Sequence, residues 1–121
     1  MGGGLFTYNG TLTVVSSTLT DNVALDGGRQ VFVISQGTRG PAAATATITG
    51  SILGQADTLV TDFESAQLIG GTTTTSGTGD LIRTAVGFAG TTVSTADPRL
   101  AALANNGGLT LTHLPAAGSP A

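Results

Sequence analysis

A phrase that occurs twice in the first half of the sequence constrains the fold more than any other feature. In each copy a glycine pair opens a short strand-like segment, and a Thr/Ser-rich alternating segment follows it. The first copy covers residues 2–8 and 11–22, and the second covers 27–33 and 44–55. Repeats of this size are typical of chains whose stacked units bury a shared core. The repeat therefore predicts a solenoid rather than a globular domain with a single central core.

Matching the two glycine pairs predicts which residues of successive units lie next to each other. The larger offset in the second half of the phrase is absorbed by a loop inserted at 35–42. A fainter third unit comprises 66–70 and 80–83, and the polar low-complexity stretch 71–79 between them is predicted to be a second inserted loop. The implied pairs are Phe6 with Val31, Tyr8 with Val33, Val15 with Ile48 and Leu19 with Ile52.

Apolar and polar residues alternate with a period of two in the second half of each copy. This period predicts strands with Leu12 and Val14 on one face, and with Ala46 and Ile48 on the equivalent face of the next unit. The alternate positions are mostly threonine, whose branched Cβ suits an extended backbone. We expect three phenylalanines inside the coils: Phe6, Phe32 and Phe88.

The composition excludes several classes of protein. Charged residues make up 9% of the chain, lysine is absent, and the four arginines (Arg29, Arg39, Arg83 and Arg99) are scattered, which disfavours a nucleic-acid partner. Cysteine is absent, so thiol chemistry is excluded. The longest clean apolar run, 31–34, is far too short for a membrane span, and the first residues do not resemble a signal peptide. Helical periodicity is confined to 97–104, where we expect one short helical turn.

The glycine-rich phrase resembles the right-handed parallel β-helix repeats of bacterial surface proteins, including polymorphic outer-membrane-protein-like repeats. The closing stretch is more specific. Residues 97–113 (Asp-Pro-Arg-Leu-Ala-Ala-Leu-Ala-Asn-Asn-Gly-Gly-Leu-Thr-Leu-Thr-His) and the final Gly-Ser-Pro-Ala resemble the end of choice-of-anchor Q domain proteins. Leu109 and Leu111 depart from the family's Pro and Gln at these positions. The resemblance implies a secreted or cell-surface repeat protein.

These observations predict an all-β fold, a right-handed parallel β-helix of about four short coils with an irregular C-terminal closure. We expect one domain over residues 1–121, forming the C-terminal fragment of a longer solenoid. Its loop insertions are 35–42 and 71–79, and its closing segment is 94–121.

The sequence predicts no catalytic residue, no cofactor and no metal site. The acidic residues Asp57, Asp62 and Glu64 could supply oxygen ligands to Ca²⁺, but a solvated loop is the favoured interpretation. The run Ser-Gly-Thr-Gly-Asp ending at Asp80 is a single imperfect copy of a calcium-binding repeat. His113, the only histidine, is interpreted as a turn residue of the closing coil. The amides of three asparagines are expected to cap backbone groups at turns: Asn22, Asn105 and Asn106.

The favoured function is a non-enzymatic structural or adhesive segment, located outside the cell or on a bacterial surface. The alternative is a fragment of a β-helical polysaccharide lyase or hydrolase whose catalytic coils lie upstream. A lyase needs a basic residue near carboxylates, and the arginines lie apart from the acidic residues except at Asp80/Arg83 and Asp97/Arg99. Expected partners are a second copy stacked through an open coil end, and a surface glycan or protein, without nucleic acid or a membrane span.

Overall fold

The computed structural model describes residues 2–38, 40 and 42–121, and within these ranges the chain is all-β with no helix. The strands are short, as expected for a chain rich in threonine, valine and glycine turns. In chain order they are β1 (Leu5–Tyr8), β2 (Thr11–Val15), β3 (Thr18–Leu19), β4 (Val31–Ser35), β5 (Ala42–Thr49), β6 (Ile52–Leu53), β7 (Phe63–Gln67), β8 (Gly71–Thr78), β9 (Asp80–Ile82), β10 (Ala85–Val86) and β11 (Thr92–Ser94).

The strands form three parallel sheets. The first sheet has the order β1-β4-β7-β10, the second β2-β5-β8, and the third β3-β6-β9-β11. Every strand pair is parallel, so each connection must carry the chain across to another sheet before it returns. The chain visits the first, second and third sheets in the same order three times, and β10 and β11 then extend the first and third sheets.

The core lies between the three sheets. Its centre is a cluster of fully or nearly fully buried side chains contributed by all three sheets. In the second sheet the alternation of the sequence decides which residues enter it: Ala44, Ala46 and Ile48 of β5 have no exposed surface. Most core side chains are small, which suits a narrow interior. The first strands of each sheet add Leu5, Leu12 and Leu19, which are only partly buried against the cluster.

The predicted inter-unit pairs are wrong by one residue. Leu5 pairs with Val31, so Phe6 lies beside Phe32 and not Val31, and Tyr8 lies beside Ile34 and not Val33. A one-residue slip moves a side chain to the opposite face of a sheet. The glycines explain the true register, because Gly2 and Gly28 both have positive φ (50° and 61°) and occupy equivalent turns.

The same correction applies to the second and third sheets. Val14, not Val15, pairs with Ile48, and Leu19 pairs with Leu53 rather than Ile52. Val15 is accordingly 57% exposed. The predicted faces of Leu12, Val14, Ala46 and Ile48 are confirmed, because Val14 and Ile48 share a register position on the buried side.

The predicted loop at 71–79 is wrong, because residues 71–78 form the eight-residue strand β8. Every residue of β8 is paired with a residue of β5. Its inward hydroxyl groups have partners: Thr73 Oγ1 donates to the carbonyl oxygen of Ala66 at 2.8 Å, and Thr75 Oγ1 donates to that of Gly87 at 2.8 Å. A polar run can therefore form a strand within the sheet, because neighbouring residues satisfy the hydrogen-bonding groups of its backbone and of its inward side chains.

The predicted loop at 35–42 connects β4 to β5, although its end residues, Ser35 and Ala42, belong to those strands. Arg39 and Pro41 of this loop lie outside the described residues.

The predicted helical turn at 97–104 is wrong. Arg99 has a positive φ of 48°, a left-handed conformation that interrupts a right-handed helix. The carboxylate of Asp97 accepts the Arg99 amide at 2.8 Å and stabilises this turn. The closing segment instead doubles back through two antiparallel bridges, Leu100 with Pro115 and Ala104 with Thr112.

The aromatic predictions are mixed. Phe6 is 50% exposed and stacks on Phe32, so its predicted interior position is wrong. Phe32 is 5% exposed, but it alternates with the core residues Val31 and Val33 and lies on the same side of the sheet as Phe6, outside the core cluster. Phe88 is partly buried against the core and meets Phe63 edge-on, with ring centroids 5.1 Å apart. Phe63, for which no interior position was predicted, is fully buried.

Candidate functional site

The outer face of the second sheet carries a regular array of hydroxyl groups. Side chains alternate along each strand, so every second residue of β2, β5 and β8 points away from the core. Because the three strands pair without a register shift, the outward residues form rows across the sheet. These rows are Thr11-Thr45-Thr74, Thr13-Thr47-Ser76 and Val15-Thr49-Thr78, with Ala43-Thr72 extending the array on β5 and β8.

The threonine face, defined as these outward residues, has two distinctive chemical properties. The strands β2, β5 and β8 contain no Asp, Glu, Lys or Arg, so the face is uncharged. Each threonine presents one hydroxyl and one methyl group on a side chain whose χ1 is restricted by β-branching. Thr47 Oγ1 and Ser76 Oγ lie 3.2 Å apart, which shows that neighbouring hydroxyls in a row are close enough to interact.

A second polar feature is a corner network centred on Arg29, immediately before β4. Arg29 Nε donates to Asp62 Oδ1 at 3.0 Å, and its Nη1 donates to both carboxylate oxygens of Asp57 at 2.8 and 2.9 Å. Asp62 is fully buried, and its other oxygen accepts the Thr84 hydroxyl at 2.8 Å. Asp57 and Asp62, two of the candidate calcium ligands, are therefore bound to a guanidinium group, and the favoured interpretation as a solvated loop is wrong for the buried Asp62. The third, Glu64, accepts the Thr61 hydroxyl at 2.9 Å.

The network continues through amide side chains that lie in the turns between strands. Asn22 Nδ2 donates to Gln30 Oε1 at 2.7 Å, and Gln30 Nε2 donates to Gln55 Oε1 at 3.0 Å. Asn22 therefore binds a side chain rather than the backbone group that was predicted. The predicted backbone contacts are confirmed for Asn105, which accepts the Gly107 amide, and for Asn106, which donates to the Thr112 carbonyl.

The network shifts the ionisation of its members. Burial alone would lower the pKa of Arg29, but the hydrogen bonds and charges of Asp57 and Asp62 more than offset it and raise that pKa above its ordinary value. The hydrogen bonds from Arg29 and then Gln55 lower the pKa of Asp57. Both directions keep the pair ionised. The network is thus a structural clamp, with its polar groups committed to one another.

Asp80 and Arg83, which are close in sequence, are not paired in the described part of the chain. Asp80 is fully buried, and its Oδ1 accepts the Ser51 amide at 2.9 Å. Asp80 Oδ2 has no hydrogen-bond partner within the described ranges. Burial raises the pKa of Asp80, against the opposing effect of the Ser51 amide. Arg83 donates to the carbonyl oxygens of Thr95 and Ala56, each at 3.2 Å. A polymer could not reach Asp80.

A groove of about 480 Å³ lies between a corner of the sheets and the closing segment. Two of its residues, Asp21 and Arg99, have positive φ (57° and 48°), which is uncommon for residues other than glycine. Asp97 also lines the groove, and it is the carboxylate that holds the Arg99 turn. The groove therefore combines two carboxylates with a guanidinium group, and its remaining lining is Thr20, Gln55, Ala56, Pro98, Leu100, Ala101 and Ala116.

His113 lies in the closing segment, where its Nδ1 is 2.8 Å from the carbonyl oxygen of Ala101. Within the described ranges, no three His, Cys, Asp or Glu side chains are grouped so that they could hold a metal ion. None of the described residues belongs to a helix long and apolar enough to cross a membrane.

No family model matches the chain, and no curated protein and no solved structure is significantly similar to it.

Sequence reasoning found the threonines of β2 and β5 but missed the continuation of the array into β8. The available signal was composition, because threonine is common in strands. Residues 72–75 are four consecutive threonines, so they lack the apolar/polar alternation that would mark a strand. Arg29 was also missed as the centre of a network, since its partners Asp57 and Asp62 lie far along the chain.

Proposed function

We propose that the chain is a right-handed parallel β-solenoid segment with a structural or adhesive role. The observation that carries this proposal is the threonine face, a rigid and uncharged surface supported by three parallel strands in register. The chain passes through the three sheets in the same order three times, and this regular order supports the solenoid interpretation. The resemblance of the closing segment to bacterial surface proteins supports an extracellular or cell-surface location, and the chain would be the C-terminal fragment of a longer solenoid.

Self-association through the first strands is part of this proposal. β1, β2 and β3 each end a sheet and have one neighbouring strand. An edge of this kind presents unpaired backbone groups to a further strand. The partly buried Leu5, Leu12 and Leu19 belong to the same strands and would be covered by a stacked layer. Sedimentation velocity across a range of protein concentrations measures this association; a sedimentation coefficient independent of concentration would contradict it.

The second candidate is a fragment of a β-helical polysaccharide lyase or hydrolase. The groove favours it, because Asp21, Asp97 and Arg99 place acidic and basic groups around one accessible space. General acid–base catalysis on a sugar polymer requires groups of this type.

One experiment separates the two candidates. The chain is incubated with pectin and with alginate, and new reducing ends and unsaturated uronates are measured. The structural role predicts no product. Product that disappears in Asp97→Asn or Arg99→Gln, while Glu64→Gln retains it, would replace the structural proposal by the enzymatic one. Glu64 is the control because its carboxylate accepts the Thr61 hydroxyl and does not line the groove.

A further inference from the structure

We propose that the threonine face binds the surface of ice. This inference rests on the proposed adhesive role and names the chemistry of its ligand. A crystal is recognised by a surface whose polar groups repeat at regular intervals in two directions. The threonine face is such a surface, because its rows run across β2, β5 and β8 and its columns run along the strands.

The spacing of the array is dictated by backbone geometry. Neighbouring strands lie about 4.8 Å apart, and alternate residues along one strand lie about 6.6 Å apart. The interval between strands is close to the short oxygen repeat on a prism face of hexagonal ice, and the interval along a strand is somewhat shorter than the long repeat of that face. The backbone places the Cβ atoms of the rows Thr11-Thr45-Thr74 and Thr13-Thr47-Ser76 at these intervals, and rotation about χ1 brings the hydroxyls of Thr47 and Ser76 to 3.2 Å from each other.

The side chains are suited to ordering water. A threonine hydroxyl holds a water molecule by hydrogen bonding, and the adjacent methyl restricts the orientations of the waters around it. Branching at Cβ limits each threonine to few rotamers, so each threonine hydroxyl has few possible positions. The central threonines of β5 are half-buried between their neighbours, which further restricts them.

Other ligands fit this face less well. A charged polymer needs opposite charges, and β2, β5 and β8 have no charged residue. A flat carbohydrate surface is usually met by aromatic rings, whereas the described aromatic residues belong to β1, β4, β7 and the segment after β10. Sheet-on-sheet packing by a second copy requires interdigitating apolar side chains, and this face is mainly hydroxyl-bearing.

The test measures ice growth directly. The purified chain is compared with Thr47→Tyr, which places a bulky ring at the centre of the array, and with Thr92→Tyr as the matched control. Thr92 is exposed in β11 of the third sheet, outside the array. Circular dichroism and the melting temperature verify that each variant is folded.

The readouts are thermal hysteresis, which is the gap between the melting and freezing temperatures of a single ice crystal, and the fraction of protein incorporated into slowly growing ice. The wild-type chain and Thr92→Tyr should show the gap and enter the ice, and Thr47→Tyr should lose most of both effects. A folded wild-type chain without hysteresis, or an unchanged folded Thr47→Tyr, would overturn the inference. Dimerisation that Thr47→Tyr abolishes, without hysteresis, would assign the face to a second copy instead.

The outcomes also separate this inference from the proposed function. A chain that does not bind ice but unfolds cooperatively would refute the ice-binding inference and leave the proposed structural role unaffected. Release of sugar products from pectin or alginate would refute the structural role without bearing on the threonine face.

Discussion

Arg29 makes ion pairs with two aspartates of very different burial, and this predicts unequal losses of stability. Asp62 has no exposed side-chain surface, whereas the side chain of Asp57 is 47% exposed. Asp62→Ala would leave the buried Nε of Arg29 without its acceptor, and it would leave the hydroxyl of Thr84 only the carbonyl oxygen of Val60 at 3.4 Å. Removing one partner of a buried ion pair costs about 3–5 kcal/mol, a large part of the roughly 5–15 kcal/mol that stabilises a typical domain. Asp57→Ala should cost much less, because water can replace an exposed carboxylate.

Urea denaturation followed by circular dichroism at neutral pH measures both losses. A loss of this size with a slope of about 1–3 kcal/mol per molar urea lowers the denaturation midpoint of Asp62→Ala by more than about 1 M. Asp62→Asn is the matched control, since it keeps one oxygen acceptor and the side-chain volume, and it should lie between the wild type and Asp62→Ala. Equal midpoints for Asp57→Ala and Asp62→Ala would refute the argument that burial decides the contribution of each ion pair.

Three further predictions concern buried groups, and denaturation measurements test each of them. Asp80→Asn should be more stable than the wild type at pH 7 and similarly stable at pH 3. Burial raises the folded-state pKa of Asp80, so ionisation of its carboxyl group destabilises the folded state as the pH rises from the ordinary pKa of 3.8 through the folded-state pKa. A difference that is independent of pH would contradict this. Gly77→Ala should lower the free energy of unfolding by about 1–3 kcal/mol or more, because Gly77 has φ 147° and an added Cβ would overlap a carbonyl oxygen of β5. Gly10→Ala is the control and should be nearly neutral, because its Cβ would make only ordinary van der Waals contacts. Ile48→Ala should cost about 2–5 kcal/mol and Val15→Ala little, because Ile48 is fully buried and Val15 is exposed. The alignment shifted by one residue pairs Val15 with Ile48, so similar losses for the two variants would argue for that alignment.

The class of structure was readable from the sequence because it depends on local pattern. Period-two alternation in 11–15 and 44–49 predicted strands, and the correct residues of each strand were assigned to the buried face. The repeated glycine phrase predicted successive layers with like segments side by side, and the strand pairing has this arrangement. These features follow from side-chain alternation and from glycine's tolerance of positive φ, which are properties of short segments.

Register, by contrast, was decided by packing. Matching the glycine pairs aligned Gly3 with Gly28, whereas the structure aligns Gly2 with Gly28 and pairs Leu5 with Val31, and both of these side chains contact the core. The helical turn predicted at 97–104 fails for a similar reason. Its local preferences are overridden by the Asp97 contact to Arg99 and by antiparallel bridges to residues 112 and 115.

The amino-acid pattern is sufficient to predict short, mostly uncharged strands with threonine on their outer side. The packing of β5 is what makes residues 71–78 a strand, β8, that completes the threonine face, because a threonine run becomes a strand when a neighbour supplies its backbone hydrogen bonds. The tertiary structure also decided that Arg29 binds Asp57 and Asp62, since ion pairs between residues distant in sequence exist only after the strands have stacked.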